Sequence, residues 1–191
     1  MTIELSHNDR LTLLKIAREA IQLNLNGDVL PEIQLEDYSP PLQKDGASFV
    51  TLTKKGTLRG CVGSIEASQA LVKDVRERAI GAAIHDYRFQ KLKLIELPEV
   101  RIEISRLTPP EQLSYSSPEE LIKTLRPGYD GVLLSYQNRR ATFLPQVWDQ
   151  LSKPEVFLNR LCLKMGLDQS SWKTLDLRVD VYQVEKFQEE S

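Results

Sequence analysis

The sequence predicts an α+β fold in which two subdomains each combine an antiparallel sheet with packed helices. Segments with a helical apolar period alternate with segments of period two. The order hairpin, helix, closing strand occurs twice, about eighty residues apart, which suggests an internal repeat. A chain of 191 residues suffices for one large domain or two small ones sharing a core. We therefore predict one domain over 1–191, with approximate subdomains 1–110 and 111–191.

Composition excludes several classes of function. Twenty-five basic and 27 acidic residues give a net charge of -2, so global charge does not favour nucleic acid or an anionic membrane. No apolar run is long enough to span a bilayer, and residues 1–8 do not resemble a secretory signal. Two distant cysteines, Cys61 and Cys162, form no disulfide framework. We expect a cytoplasmic protein with reduced thiols.

The first element is an amphipathic helix. Ser6 can cap it, and Asp9 supplies the carboxylate of a capping box. Gly27 stands where a C-terminal cap belongs. The apolar face recurs at helical spacing over Leu11, Leu14, Ala17, Ala20 and Ile21. The proline-containing stretch Val29–Gly46 has no steady period and predicts an ordered surface strap or an exposed loop.

The first repeat begins at Ala47, where the apolar period changes to two. Lys55-Gly56 predicts the turn of a hairpin. The return strand, Thr57–Ile65, is weakened as ordinary sheet by its glycines. A helix is predicted from about Ser68. Val100–Leu107 is the cleanest alternating strand in the chain.

The second repeat follows the same order. The helical sequence of this repeat should break before Pro154, because a proline disfavours helix at the preceding residue, and it should stop at Gly166. The predicted elements are a strand at Gly131–Tyr136, a turn at 137–140, a return strand at Ala141–Leu144, helical sequence from about Pro145 to Met165 with a break before Pro154 and a stop at Gly166, and a closing strand at Leu175–Val184.

The segment Leu58-Arg-Gly-Cys-Val-Gly63 breaks local rules, because two glycines bracket a cysteine in a strand. Glycine permits positive φ or close approach of another group. Arg59 adds donors suited to a carboxylate or phosphate. Backbone N–H groups around Cys61 could hold an anion if they face a cleft. One interpretation is a reactive or ligand-binding cysteine. The other is a small buried hydrophobic residue in a bulged strand.

Two further stretches carry candidate groups. His85 could serve Cys61 as a base, while Asp86 could orient it or pair with Arg88. The alternative is a helix C-terminus carrying a solvated ion pair. Glu103 lies on the same strand face as Ser105 and could be a base or a partner for Arg59. Alternatively, these two residues belong to the solvent face of a half-buried sheet.

Familiar cofactor and metal motifs are absent from the sequence. The chain has only two histidines, His7 and His85, and neither has zinc-ligand spacing with a cysteine. Neither a P-loop nor a dinucleotide-binding glycine fingerprint occurs. Two cysteines cannot supply the three thiolates of a radical-SAM cluster. We therefore predict no metal site and leave the cofactor unknown.

Leu58-Arg-Gly-Cys-Val-Gly63 resembles the signature hexapeptide of the AMMECR family. Further agreement with the family runs in order along nearly the whole chain, at Phe49-Val-Thr-Leu52, Asp86-x-Arg-Phe89, Ile102-Glu-Ile-Ser105, Gly128-x-x-Gly131, Leu144-Pro-Gln-Val-Trp148 and Phe157-Leu…Cys162-x-Lys164-x-Gly166. The resemblance implies a two-part α+β fold with a cleft at which the hexapeptide lies. It also implies kinship with the A component of the AmmeMemoRadiSam system, which accompanies a Memo-like protein and a radical-SAM enzyme.

The matched positions define the candidate site. They are Arg59, Gly60, Cys61, Gly63, Asp86, Arg88, Glu103 and Ser105. His85 lies outside the family's motif, which weakens the hypothesis of a Cys–His pair. The remaining positions divide by role: Cys61, Glu103 and Asp86 as catalytic groups, and the other five as substrate-binding groups.

Three functions remain open from the sequence. The first is an enzyme or enzyme component that binds a small or tethered anionic substrate, with Cys61 as nucleophile or redox thiol, Arg59 as anion clamp, and Glu103 or Asp86 transferring a proton. The second is a non-catalytic adaptor for the Memo-like and radical-SAM partners. The third is RNA binding or modification, which the acidic balance of the chain does not favour.

Overall fold

The computed structural model describes residues 4–190, and the chain divides into two units. One unit contains residues 4–108 together with 185–190, and the other contains 109–184. Each carries a four-stranded antiparallel sheet with packed helices, so the predicted α+β class is confirmed. Residues 1–3, within the segment examined for a secretory signal, lie outside the described residues. Residues 185–190 belong to the first unit and not to the predicted second subdomain 111–191, because the end of the chain rejoins the first sheet.

The first unit contains three helices and the strands of one sheet. Its elements in chain order are α1 (His7–Asn26), α2 (Pro40–Gln43), β1 (Ala47–Lys54), β2 (Thr57–Gly63), α3 (Leu71–Ile84), β3 (Val100–Leu107) and, from the end of the chain, β8 (Val184–Gln188), with 3-10 segments at Leu35–Asp37 and Leu94–Glu99. The strand order is β2-β1-β3-β8.

The second unit is built from the middle of the chain. Its elements are β4 (Glu111–Gln112), α4 (Pro118–Thr124), β5 (Gly131–Tyr136), β6 (Arg139–Phe143), a 3-10 turn at Pro145–Asp149, α5 (Pro154–Lys164), α6 (Ser171–Thr174) and β7 (Arg178–Tyr182). The strand order is β4-β7-β5-β6. The predicted closing strand is shorter than expected, and the predicted break before Pro154 is confirmed.

The first helix has the predicted ends. The Ser6 hydroxyl accepts from the Asp9 backbone N–H at 3.1 Å, and the Asp9 carboxylate accepts from the Ser6 N–H at 3.0 Å, completing the capping box. Gly27 ends the helix with a φ of 80°. The stretch after it is an ordered strap, since Ile33 and Leu42 are buried in the first core.

The first sheet has two chemically different faces. Val50, Leu52, Ile102 and Ile104 are 0% exposed and pack with α1 and α3 residues in one core. The opposite face carries the alternating positions, including a half-buried Cys61. The hairpin turns at Lys55 and Gly56, both at positive φ, as the sequence predicts. The signature segment thus forms an edge strand of this sheet.

The two sheets share one order of connection. In each unit a hairpin is followed by a helix and then by a strand that pairs antiparallel with the hairpin's first strand: β3 with β1, and β7 with β5. Each sheet gains its fourth strand beside that closing strand. The predicted hairpin–helix–strand repeat is therefore present as topology. The second core contains Trp148, whose ring stacks on Phe157 with centroids 3.7 Å apart.

Candidate functional site

The glycines of the signature segment serve close packing. A Cβ on Gly60 would lie 2.1 Å from the Ala82 carbonyl oxygen of α3, and one on Gly63 would lie 2.3 Å from the Phe49 ring. Neither glycine has positive φ. The register of β1 and β2 shifts between Leu52 and Thr53. Close approach is therefore the reason for glycine at both positions.

The main chain of Cys61 is held from outside the sheet. Its N–H donates to Asp86 Oδ2 at 2.8 Å, and its carbonyl accepts from Arg88 Nη2 at 3.3 Å. One residue thus gives and receives a hydrogen bond as it would beside another strand. The Asp86–Arg88 pair takes the place of that strand at the sheet edge. The expectation that this N–H holds an external anion is wrong, because the protein's own carboxylate occupies it.

Asp86 is the centre of this arrangement. Its side chain is 4% exposed and lies 2.7 Å from Arg88 Nη2; it also accepts from the Arg88 backbone N–H at 3.1 Å. Hydrogen bonds from the Arg88 side chain, followed by those from the Cys61 and Arg88 backbone N–H groups, hold the pKa of Asp86 well below its usual value. A carboxylate so stabilised is a poor proton acceptor. These contacts favour a positioning role for Asp86 over the predicted proton transfer.

The sulfur of Cys61 faces a polar row across the sheet. Thr51 pairs with Cys61 on one side and with Glu103 on the other, so the three side chains share a face. The Thr51 hydroxyl lies 3.3 Å from Cys61 Sγ as a hydrogen-bond donor. Glu103 Oε2 lies 2.9 Å from Lys186 Nζ of β8. Because a strand intervenes, Glu103 and Cys61 are about 10 Å apart along the sheet.

Ser105 continues the same face one row away. It pairs with Phe49, which pairs with Gly63, and its exposure is 3%. The prediction that Glu103 and Ser105 share a strand face is confirmed. Thr51 was not predicted as a site residue. A two-residue turn at Lys55-Gly56 would by itself pair Cys61 with Val50. The register shift between Leu52 and Thr53 brings Thr51 opposite Cys61 instead, so the turn alone could not have identified Thr51.

Arg59 is engaged by the protein itself. Its Nε and Nη2 donate to the two carboxylate oxygens of Glu96 at 3.2 and 3.0 Å, and its Nη1 donates to the Gln90 carbonyl at 2.8 Å. The pairing of Arg59 with Glu103 that the sequence suggested is wrong. The hydrogen bonds from Arg59, with further ones from the Lys93 N–H and Lys54, lower the pKa of Glu96 from 4.5 to about 2.

His85 and Cys162 stand apart from Cys61. His85 is exposed at the end of α3, and across residues 4–190 no hydrogen bond joins its ring to Cys61, so a Cys–His pair is not formed. Cys162 is 0% exposed, and burial raises the pKa of its thiol. Of the two free cysteines, Cys61 is the accessible one.

Neither a metal site nor a membrane segment is found in the described part of the chain. Within residues 4–190 no group of three or more His, Cys, Asp or Glu side chains is placed to hold an ion. The helices of the same range are all too short or too polar to cross a bilayer.

Comparison with known proteins places the chain in a family. A family model described as AMMECR1 matches residues 14–187. The chain belongs to the AMMECR1 family. Two archaeal relatives are similar over nearly their whole length: a Methanothermobacter thermautotrophicus protein is 39% identical, covering 97% of both chains, and a Thermofilum pendens protein is 35% identical, covering 97% of this chain and 92% of that protein.

A solved structure shares the fold of this AMMECR1-family protein. The crystal structure of an uncharacterised protein from Pyrococcus horikoshii matches with a TM-score of 0.85 and 31% sequence identity, covering 100% of this chain and 95% of that one. The two molecules therefore share one α+β fold.

Proposed function

We propose that this AMMECR1-family protein is a cytoplasmic enzyme or enzyme component that uses the Cys61 thiol on a small or tethered anionic substrate. The observation that carries the proposal is the setting of Cys61. The residue is half-buried, its sulfur accepts from Thr51, and its backbone is fixed by Asp86 and Arg88. Fixing a nucleophile before substrate arrives reduces the entropic cost of reaction. Both cysteines are free thiols, which suits a reducing compartment.

The chemistry proposed for Cys61 is nucleophilic. The sulfur electron pair forms a bond to an electrophilic atom of the substrate, the thiol proton passes to water, and the leaving group departs with the electrons of its own bond. Glu103 is paired with Lys186 and, at about 10 Å, is too far to take that proton directly or through one water. Any radical or iron–sulfur step belongs to a radical-SAM partner working beside a Memo-like protein.

The anionic character of the substrate is supported by the cations around the motif. The Arg88 side chain, whose Nη2 bonds the Cys61 carbonyl, is 46% exposed. Hydrogen bonding to Asp86 raises the pKa of Arg88, so it stays charged. One unit charge about 6 Å from an incoming anion in a water-like medium is worth about 0.7 kcal/mol, or about a threefold rate difference. The ionised Asp86 carboxylate, 2.7 Å from Arg88 Nη2, opposes that attraction, so about threefold is an upper limit.

The test compares two alkylating agents of the same shape, anionic iodoacetate and neutral iodoacetamide. We expect the iodoacetate-to-iodoacetamide rate ratio at Cys61 to exceed that of an uncharged cysteine peptide by up to about threefold at low salt. Peptide mass spectrometry reports the modified site, and Cys61→Ser supplies the blank. In Arg88→Gln the preference should fall. A ratio at or below that of the peptide would refute an anion-selective thiol site.

A non-catalytic adaptor is the second candidate, favoured by exposed apolar side chains around the motif. Leu58, Tyr87 and Ile95 are 39%, 96% and 84% exposed. Each is next in sequence to an ion-paired residue of the site: Arg59, Asp86 and Glu96, respectively. An adaptor would lose a purified Memo-like partner in Tyr87→Ser/Ile95→Ser and keep all of its function in Cys61→Ser. The enzyme proposal requires the opposite result for Cys61→Ser, with partner binding retained.

A further inference from the structure

A basic concavity lies beside the signature strand, on the side of Arg59. It has a volume of about 490 Å³, within the range of small-ligand sites, about 300–1,000 Å³. Its lining includes four cationic side chains, one carboxylate and one aromatic ring: Lys54, Arg59, Lys91, Lys93, Glu96 and Phe89. The chain as a whole has a net charge of -2, so the excess of positive charge is particular to this concavity.

The ion pairs of the concavity leave two lysines uncompensated. Glu96 is paired with Arg59 at 3.0 Å and with Lys54 at 3.3 Å. Because its pKa is lowered to about 2, Glu96 stays ionised and keeps both cations engaged at neutral pH. Across residues 4–190 no ion pair engages Lys91 or Lys93. These two ammonium groups are therefore the ones available to a ligand.

The backbone aims both lysines into the same space. Leu92, which lies between them, is 3% exposed and anchored by its N–H to the Ala83 carbonyl at 2.8 Å. In an extended segment, side chains on either side of a buried residue point the opposite way from it. Lys91 and Lys93 thus flank one point of the concavity with two charges on flexible stems, as suits a group with several acceptor oxygens.

We propose that this concavity binds the phosphoryl group of a small organic phosphate, with Lys91 and Lys93 on its oxygens and the organic part against Phe89. A phosphate carries enough charge to bridge two lysines, and the volume leaves room for a carbon skeleton beside the aromatic ring. The patch is too limited to track a nucleic-acid backbone, which needs a longer row of cations. The inference rests on the proposed function, since the phosphate would be the anionic part of the Cys61 substrate.

The test uses titration calorimetry of the full chain with methyl phosphate, phenyl phosphate and a short single-stranded RNA. We expect phenyl phosphate to bind more tightly than methyl phosphate, which carries the same charge but has no ring to pack against Phe89. Lys91→Gln/Lys93→Gln should weaken both by about tenfold, the loss of two exposed charge contacts. Lys15→Gln/Lys123→Gln, which removes two exposed lysines elsewhere, should leave binding unchanged.

Three results would overturn the proposal: no binding of either phosphate compound by the wild type, equal losses in the two double variants, or preference for RNA over phenyl phosphate. Cys61→Ser separates this inference from the thiol hypothesis. The variant should bind phenyl phosphate as the wild type does. Phosphate binding without thiol reactivity would leave the ligand site standing while refuting Cys61 chemistry, and the reverse pair of results would refute only the ligand site.

Discussion

Replacement of Asp86 by asparagine tests the positioning of Cys61. The carboxylate accepts from the Cys61 N–H at 2.8 Å and from the Arg88 backbone N–H at 3.1 Å, besides the Arg88 side chain. Asparagine has one acceptor oxygen, so at least one of these backbone donors would face an NH₂ group. An unsatisfied buried donor costs about 1–3 kcal/mol. The half-exposed Arg88 side chain can bond water instead, which limits its share to about 1 kcal/mol.

We therefore expect Asp86→Asn to lower the free energy of unfolding by about 2–4 kcal/mol. Urea denaturation at pH 7 measures that quantity. The Cys61 amide hydrogen should exchange at least about 30-fold faster, the equivalent of about 2 kcal/mol of local opening. Since the folded-state pKa of Asp86 is depressed, the stabilisation is complete above its unfolded pKa near 4 and is lost as the pH falls below it.

Asp180→Asn is the matched control. Asp180 is also 4% exposed and also forms an ion pair with an arginine two residues away, Arg178, whose side chain is 59% exposed. It makes no contact with Cys61, so the control should lose about 1 kcal/mol and leave Cys61 exchange unchanged. The reasoning is refuted if Asp86→Asn costs less than about 0.5 kcal/mol or if both variants alter Cys61 exchange equally.

Three other substitutions test separate parts of the structure. Glu96→Gln removes the Arg59 ion pair; the fall of the Glu96 pKa from 4.5 to about 2 sets a ceiling of about 3.4 kcal/mol. Solvent screening reduces the expected loss to about 1–2 kcal/mol. Urea denaturation should show the whole difference in unfolding free energy between wild type and variant above pH 4.5, and that difference should vanish as the pH falls towards 2. Gly60→Ala places a methyl group 2.1 Å from a main-chain oxygen and should lower the stability measured by thermal unfolding by about 3 kcal/mol or more. The control Gly128→Ala, at positive φ in open space, should lower it by about 1 kcal/mol. Equal costs would contradict the close-packing argument. Ser6→Ala breaks the capping box and should cost about 1 kcal/mol, and an unchanged melting temperature would show that the cap contributes nothing.

The elements that the sequence predicts well are those with local signals. Ser6 and Asp9 are three residues apart and mark the start of α1, and Lys55-Gly56 marks the hairpin. Alternating apolar residues fix the bounds of β3 because one face of the strand is buried. These signals depend on residues only a few positions apart, so they can be read from the sequence without knowledge of the fold.

The contacts that escaped prediction join distant parts of the chain. Glu96 lies 37 residues from its partner Arg59, and no periodicity links the two. The last strand returns to β3, where the Glu189 N–H donates to the Ile102 carbonyl at 3.0 Å, although the sequence placed it in the second half. The sequence also allows Asp86 and Arg88 to form a solvated pair, but the Asp86 carboxylate is buried because it bonds the edge of β2. Chain topology decides such contacts, and local propensity does not encode it.

The reactivity of Cys61 in the folded protein tests the central claim most directly. Native protein is treated with iodoacetamide at neutral pH, and the labelling rates of the two cysteines are compared by peptide mass spectrometry. The account predicts rapid labelling of Cys61 and almost none of Cys162, which is 0% exposed, until denaturant is added. Labelling of Cys61 no faster than that of Cys162, or only after unfolding, would make it a packed structural thiol and contradict the proposed chemistry.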